Sequence, residues 1–267
     1  MSRTLPDSKE RFSTRADHYA RYRPEYPSSV IHLLQGEIGL DRSWIICDVG
    51  AGTGLSSKLF LDHGHYVYGV EPNAPMREAA EALLDSHAFY QSIEGSAEST
   101  GLTDRCTDLV VAAQAFHWFD PGAARDEFRR ILRPPGWVLL MWNRRLTDTT
   151  GFLRAYEDLL LRYGTDYDRV RHENVQSQAI GGFFADRYVY RQLPNRQLLD
   201  AEALKGRLLS SSYTPSPEHR DHRSMLESLH EIFEQHHTEG RVCIEYSLDL
   251  YIGQLSWVGK PTCPTHM

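Results

Sequence analysis

Short apolar runs alternate with segments of helical periodicity through the first half of the chain. The apolar, β-rich runs predict five strands, at residues 44–49, 66–70, 89–93, 108–112 and 137–142. Between them, apolar residues at i, i+3 and i+4 spacing predict helices that begin after the capping residues Asn73 and Asp120. Alternating strands and helices are typical of a parallel sheet with helices on both faces, so an α/β fold is expected.

The pattern changes after residue 146. Longer helical segments fill 147–240, with one predicted strand at 188–193, and a partly alternating run at 242–252 predicts a last strand that rejoins the sheet. The chain is therefore divided into a leader with a helix (1–36), a core (37–146), a helical insertion (147–240), a final strand of the core sheet (241–258) and a mobile tail (259–267).

Composition and charge narrow the possible partners. Hydrophobic residues make up 41% and charged residues 24% of the chain, as in a folded globular protein, and the net charge of −7 gives no attraction to nucleic acid or to an anionic membrane. The first 15 residues lack a secretory signal, and the apolar runs are too short to span a bilayer. We expect a cytoplasmic monomer or homodimer that acts on a small molecule, with no nucleic-acid or membrane partner.

The cysteines and histidines predict neither a disulfide framework nor a metal site. Four cysteines are scattered without a CxxC pair: Cys47, Cys106, Cys243 and Cys263. The first three are expected to be reduced and mostly buried. No cysteine or carboxylate completes a metal-ligand spacing around the histidines of the insertion, so no metal is expected: His219, His222, His236 and His237.

A glycine-rich loop, DVGAGTG from Asp48 to Gly54, stands between the first predicted strand and the next helix. Glycines at alternate positions permit a tight turn and let a flat ligand lie against the main chain. The N–H groups at the start of the helix favour a carboxylate, and Asp48 at the strand tip offers an acceptor to an ammonium group. The loop suits a nucleoside with an amino-acid tail.

Glu71 follows the second predicted strand, 21 residues beyond Gly50. This interval is close to the roughly 20 residues that place an acid on ribose hydroxyls in dinucleotide folds. The alternative is that the three glycines only permit a strand-to-helix turn, which rarely needs three. A nicotinamide cofactor is disfavoured because Leu55 stands where the third glycine of GxGxxG would be.

On these residues the sequence resembles the class I S-adenosylmethionine-dependent methyltransferases, in particular the methyltransferase type 11 group related to trans-aconitate methyltransferases. The similar segments are 12–27, 47–54, 70–76, 112–120 and 131–143. The resemblance implies a Rossmann-like, seven-stranded, mostly parallel sheet whose last strand is antiparallel, with S-adenosylmethionine across the first two strands. It also implies that the leader covers the cofactor and that the insertion caps the substrate.

The same resemblance implies the contacts of the cofactor. They would come from the glycine loop, the tip of the second strand, the GSAES loop, the end of the fourth strand and the leader, namely Asp48, Gly50, Ala51, Gly52, Glu71, Pro72, Met76, Ala97, Glu98, Gln114, Tyr19 and Arg23. Many relatives carry Asp where Ser96 stands, which weakens the expected contact with the adenine amine. Met76 and Tyr19 have packing as their alternative role, and Arg23 a surface ion pair.

Methyl transfer from a sulfonium needs an in-line nucleophile and no protonation of the leaving group, so positioning and desolvation can carry catalysis. A carboxylate acceptor needs no base. A hydroxyl acceptor would use His117 as the tentative catalytic base, although that residue is also expected as part of an aromatic wall with Trp118. Asn143, Arg144 and Arg145 would bind an acidic acceptor or remain surface charges. A non-catalytic module that binds S-adenosylmethionine or S-adenosylhomocysteine is the other hypothesis.

Overall fold

The computed structural model describes residues 22–165, 167, 177–211 and 213–255. The described part contains seven strands, in chain order β1 Ile45–Val49, β2 Tyr66–Val70, β3 Tyr90–Ile93, β4 Thr107–Ala113, β5 Leu132–Arg145, β6 Tyr188–Leu199 and β7 Val242–Gly253. Its α-helices are α1 Ser29–Ile38, α2 Leu55–Asp62, α3 Ala74–Leu84, α4 Pro121–Ile131, α5 Gly151–Tyr163, α6 Ser177–Phe184, α7 Ala201–Leu209 and α8 His222–His236.

The strands form one sheet in the order β3-β2-β1-β4-β5-β7-β6. Strands β1 to β5 pair in parallel, while β7 is antiparallel to both β5 and β6. The predicted seven-stranded, mostly parallel α/β fold is confirmed. The strand order reverses between β1 and β4, and in open α/β sheets ligands bind at the carboxyl ends of the strands beside such a reversal.

Both predicted helix caps are present. The Asn73 side chain accepts a hydrogen bond from the Met76 N–H (3.1 Å), and Asp120 Oδ1 accepts from the N–H groups of Gly122 and Ala123 (2.9 and 3.0 Å). Each cap satisfies N–H groups that the first turn of a helix leaves without partners. The caps fix where α3 and α4 begin, and both helices begin next to the candidate site.

Alternate residues of the central strands face two separate hydrophobic cores. On one face Cys47, Val110 and Leu140 pack with α4 and α6. On the other face Ile46 and Leu139 pack with α1 and α2. The alternation follows from the two-residue period of a strand, and it explains why the central strands are apolar without interruption.

The strand predicted within the insertion belongs to the sheet. Strand β6 pairs with β7 over twelve positions, from Tyr188 opposite Gly253 to Leu199 opposite Val242, and forms an edge of the sheet. The insertion 147–240 is therefore not helical throughout. Helices α5, α7 and α8 pack with the far ends of β6 and β7 in a third core, which includes Tyr156, Leu204 and Ile244. The predicted tail at 259–267 lies outside the described residues.

Within the described ranges, no helix is long and apolar enough to cross a membrane. The cysteines in those ranges are free thiols. Cys47 is buried as expected, whereas Cys106 and Cys243 are only half-buried.

Candidate functional site

A cavity of about 280 Å³ lies at the carboxyl ends of β1, β2 and β4. This volume is near the lower end of the roughly 300–1,000 Å³ that ligand pockets occupy. Eight of the residues predicted to bind the cofactor line it, namely Gly50, Gly52, Glu71, Pro72, Met76, Ala97, Glu98 and Gln114. The remaining lining residues are Asn73, Ser96, Ala113, Ala115, Trp118 and Phe119.

The glycine loop is fastened to β2 and is bare on its cavity side. The N–H groups of Gly50 and Ala51 both donate to the Val70 carbonyl (2.8 and 3.1 Å). Ala51 itself is buried and does not line the cavity. Gly52 has a φ of +56°, and a Cβ added there would meet no atom within 4 Å. Main chain is therefore exposed to the cavity at Gly52, as a closely approaching ligand requires.

Glu71 connects the glycine loop to the tip of β2. Its Oε2 accepts a hydrogen bond from the Gly52 N–H (3.0 Å), and its Oε1 accepts from the Asn73 N–H (2.9 Å). An ionised carboxylate has about four lone-pair positions, so each oxygen can accept a further hydroxyl proton. The half-buried carboxylate faces the cavity and has the chemistry to bind a ribose diol.

Asp48 lies beneath the loop and is not among the cavity-lining residues. Its Oδ2 accepts hydrogen bonds from Ser56 and Ser57 of α2, both at 2.7 Å, and the side chain is fully buried. Burial raises the pKa of the Asp48 carboxyl to about 6, because desolvation outweighs the two serine hydrogen bonds. The structure thus gives Asp48 a supporting position under the loop, which differs from the predicted contact with an ammonium group.

The GSAES loop forms another wall of the cavity. Ala97 is buried in the core, and Glu98 Oε1 accepts a hydrogen bond from the Asp120 N–H (2.9 Å). Ser96 lines the cavity and accepts a long hydrogen bond from the Glu98 N–H (3.3 Å). This wall is thus joined to the start of α4.

Gln114 occupies a strained position at the end of β4. Its φ of +58° lies in the left-handed region, which non-glycine residues seldom adopt and which is concentrated at functional sites. Its N–H donates to the Met141 carbonyl (2.9 Å) and its Nε2 to the Asn143 carbonyl (3.4 Å). Its Oε1 is buried without a hydrogen-bond partner in the structure.

The aromatic segment after β4 divides between core and cavity. Phe116 is buried against Phe119, Trp142 and Phe183, whereas Trp118 and Phe119 line the cavity. His117 is exposed, contacts the Trp118 ring at 4.9 Å and does not line the cavity. Desolvation by neighbouring protein atoms lowers the pKa of this ring to about 4.

The two leader residues are not brought to the cavity in the described part of the chain. Arg23 Nη2 donates to the Ser210 carbonyl (3.0 Å) just beyond α7, and Arg23 does not line the cavity. Tyr19 lies outside the described residues.

Sequence reasoning missed Asn73, Ala113 and Ala115 as cavity residues. Asn73 was recognised only as a helix cap. Ala115 has a steric reason that only the folded structure shows: a Cβ on Gly50 would lie 2.7 Å from the Ala115 Cβ, so only small residues fit on both sides of this contact. In the ranges described, no group of three or more His, Cys, Asp or Glu residues could hold a metal ion.

Comparison with known proteins finds a family that matches the part of the chain around the cavity. Residues 47–140, which include the end of β1, the glycine loop and strands β2 to β4, match the methyltransferase domain family. The part of the chain that carries the glycine loop thus resembles a methyltransferase domain, and the mostly parallel sheet with one antiparallel strand has the fold of the class I methyltransferases.

Individual relatives agree with this class. The chain is 33% identical to an uncharacterized methyltransferase of Mycobacterium tuberculosis over 64% of this chain and 66% of that protein. It is also 33% identical to an uncharacterized methyltransferase-like protein of Schizosaccharomyces pombe over 58% of this chain and 59% of that protein. The matches thus span less than two thirds of these relatives' lengths. A structure of a proposed type II methyltransferase from Anaeromyxobacter dehalogenans shares the fold, with a TM-score of 0.63, 19% identity, and coverage of 88% of this chain and 98% of that one.

Proposed function

We propose that this chain binds S-adenosylmethionine in the cavity beside the glycine loop and transfers its methyl group to a small-molecule acceptor. The observation that carries the proposal is the position of Glu71, whose carboxylate faces the cavity while it holds the Gly52 N–H at 3.0 Å. A ribose diol and an adenine ring fit this wall, with Pro72 and Met76 as apolar contacts for the base.

The bound cofactor would supply an electrophilic methyl group on a positively charged sulfur. The residues of this chain would position that group and exclude water. Trp118 and Phe119 form an apolar wall, and the exposed main chain at Gly52 suits the amino-acid end of the cofactor. Binding and orientation, rather than a fixed set of catalytic side chains, would then carry most of the rate enhancement.

The acceptor class remains part of the proposal. By resemblance to the trans-aconitate enzymes we propose a carboxylic acid, which needs no general base. A hydroxyl acceptor would need one, but His117 lies outside the residues that line the cavity, and its lowered pKa makes the ring a weak proton acceptor at pH 7, which favours the carboxylic acid. We propose a small molecule rather than a nucleic acid as partner because the chain carries a net charge of −7.

The experiment is a transfer assay with S-adenosylmethionine labelled in the methyl group and a panel of metabolite acids, phenols and amines. The proposal predicts label in at least one acceptor with the wild-type protein and a loss of most of the signal in Glu71→Gln. Tight cofactor binding without transfer to any acceptor would instead favour the non-catalytic module.

A further inference from the structure

Two arginine side chains, one at the carboxyl end of β5 and one on α7, are almost entirely buried. Neither of them lines the cavity. Arg145 ends β5 and its side chain is 9% exposed, and Arg207 on α7 is 6% exposed. With Glu157 and four tyrosines they form a group that we name the arginine cluster, consisting of Arg145, Arg207, Glu157, Tyr156, Tyr167, Tyr213 and Tyr246. Buried arginines are rare in proteins unless a negative group pairs with them.

Arg207 is held by neutral oxygens. Its Nε donates to the Tyr246 hydroxyl (3.3 Å) and its Nη1 to the Ser211 hydroxyl (3.1 Å). In the portion of the chain that the structure covers, Arg207 takes part in no hydrogen bond or ion pair with a carboxylate. Hydroxyl oxygens compensate a buried guanidinium less well than a carboxylate does, because they carry no opposite charge.

Arg145 uses only part of its hydrogen-bonding capacity. Its Nη2 pairs with the Glu157 carboxylate and donates to the Tyr167 hydroxyl (2.7 Å), and its Cζ lies 5.2 Å from the centre of the Tyr156 ring. Its Nη1 is buried without a hydrogen-bond partner in the structure. A buried donor left in this state is costly, so a ligand that supplies an acceptor there would gain a favourable interaction.

The two guanidinium groups share Tyr156 as a neighbour, and β5 connects Arg145 to a residue that contacts the cavity lining. Tyr156 is within electrostatic reach of both Arg145 and Arg207. Arg145 is two residues beyond Asn143, whose carbonyl accepts from the side chain of the cavity residue Gln114. At about 3.4 Å per strand residue, the arginine cluster begins roughly 7 Å along β5 from that contact.

From this arrangement we infer that Arg145 and Arg207 bind an anionic group of the methyl acceptor, a carboxylate or a phosphate, and thereby orient the acceptor toward the cavity. The inference rests on the proposed function for the identity of the ligand as acceptor. Among the described residues of the cluster, two arginines face the carboxylate of one glutamate, so positive charge exceeds negative charge there by one. Guanidinium groups bind planar carboxylates and tetrahedral phosphates alike through paired hydrogen bonds to two oxygens. The cluster would therefore recognise the negative charge and the paired oxygens of either group.

The test measures anion binding by calorimetry in the presence of saturating S-adenosylhomocysteine. The probes are succinate, benzoate and inorganic phosphate, with succinamide and benzamide as neutral counterparts. We expect at least one anion to bind the wild-type protein and its neutral counterpart not to bind. Arg145→Gln and Arg207→Gln are expected to raise the dissociation constant about tenfold or more, because each removes charge-assisted hydrogen bonds.

Arg144→Gln is the matched control. Arg144 precedes Arg145 in the same strand but forms an ion pair with Asp249 (3.1 Å), and we expect this variant to bind the anion like the wild type. Binding of phosphate alone would identify a phosphorylated acceptor, and binding of carboxylates alone an acid. Either result supports the site.

Three results would overturn the inference: no anion binds, the neutral counterparts bind equally, or Arg145→Gln binds the anion as tightly as the wild type. Unchanged affinity for S-adenosylhomocysteine verifies that a variant is folded, and Arg145→Gln carries the test if Arg207→Gln fails this check. If S-adenosylhomocysteine produces no heat with the wild-type protein, the proposed function fails. In that case the same anion titration, carried out on the protein without S-adenosylhomocysteine, still tests whether the arginine cluster binds an anion.

Discussion

At the scale of single residues, the site depends on polar groups held under and beside a bare loop. Glu71 holds the N–H of Gly52 from the cavity side, while Asp48 holds two serines of α2 from below. One carboxyl group thus holds the glycine loop itself, and the other holds the start of the helix that follows the loop. The two carboxyl groups differ in their exposure to solvent: Glu71 is half-buried, whereas Asp48 is fully buried.

Asp48 makes the stability of the protein depend on pH. Its pKa is raised to about 6 from the ordinary 3.8, so the folded state binds more protons than the unfolded state between these values. The free energy of unfolding gains from this group below about pH 4 and loses that gain as the pH rises through about 6. In Asp48→Asn, which retains an acceptor for the serines, we expect the loss between pH 4 and 6.5 to disappear.

Urea denaturation of the wild type and Asp48→Asn across that pH range measures the effect. Equal slopes of stability against pH in the two proteins would contradict the burial argument.

Gly50 is required by both its backbone conformation and its surroundings. Its φ is +66°, and an added Cβ would lie 2.7 Å from the Ala115 Cβ. Gly50→Ala should therefore destabilise the protein by roughly 1–3 kcal/mol and weaken cofactor binding. Thermal unfolding and calorimetry measure the two effects.

Gly36→Ala in α1 is the matched control, because a Cβ there meets no atom within 4 Å in a helical position. This variant should gain roughly 0.5–1 kcal/mol. If both variants have the same effect on stability, steric restriction at Gly50 is not the cause.

At the scale of elements, the start of α4 supports the cavity wall formed by Phe119. Asp120 caps this helix through Gly122 and Ala123, and its own N–H is bound by Glu98. Removal of a helix cap usually costs about 0.5–2 kcal/mol. We expect Asp120→Ala to lower the free energy of unfolding by about 1 kcal/mol.

Asp126→Ala, an exposed position in the same helix, should change the stability by less than about 0.5 kcal/mol. Chemical denaturation compares the two variants. A cost at Asp126 as large as that at Asp120 would mean that capping is not the source.

Strands were predictable where the core alone determines them. The predicted strand at 66–70 coincides with β2, since its boundaries are set by apolar residues between polar neighbours. Strand β5 was predicted only at 137–142 but extends back to Leu132, which pairs with Thr107 of β4, and on to Arg145, because pairing with β7 holds polar residues such as Arg144 in extended form. Pairing with a distant strand leaves no local signal, and the same reason explains the extension of β6 to Leu199.

The residues of the candidate site were predictable where backbone conformation or the place in the sequence after a strand determines their role, as at Gly50, Gly52 and Glu71. Side-chain direction was not predictable in the same way. Asp48 faces away from the cavity because Ser56 and Ser57 of the next helix turn toward it, and their contribution depends on the folded loop. Arg145 was expected as an acceptor contact or a surface charge, and its burial against Glu157 and Tyr167 arises from α5 and the segment after it.

At the scale of the whole molecule, the sheet places the cavity and the arginine cluster at the same end. The carboxyl ends of β1, β2 and β4 form the cavity, while the end of β5 and the opposing start of β7 provide Arg145 and Tyr246. Helices α5, α7 and α8 close that end with a core of their own. A cofactor and an acceptor can therefore approach from neighbouring parts of one edge, as methyl transfer requires.

The central claim is that the glycine loop and Glu71 bind S-adenosylmethionine, and calorimetry with S-adenosylhomocysteine tests it most directly. We predict saturable binding to the wild type, roughly tenfold to hundredfold weaker binding to Glu71→Gln, and unchanged binding to Glu81→Gln, an exposed position on α3. No heat with the wild-type protein, or equal affinity in the Glu71 variant, would contradict the claim.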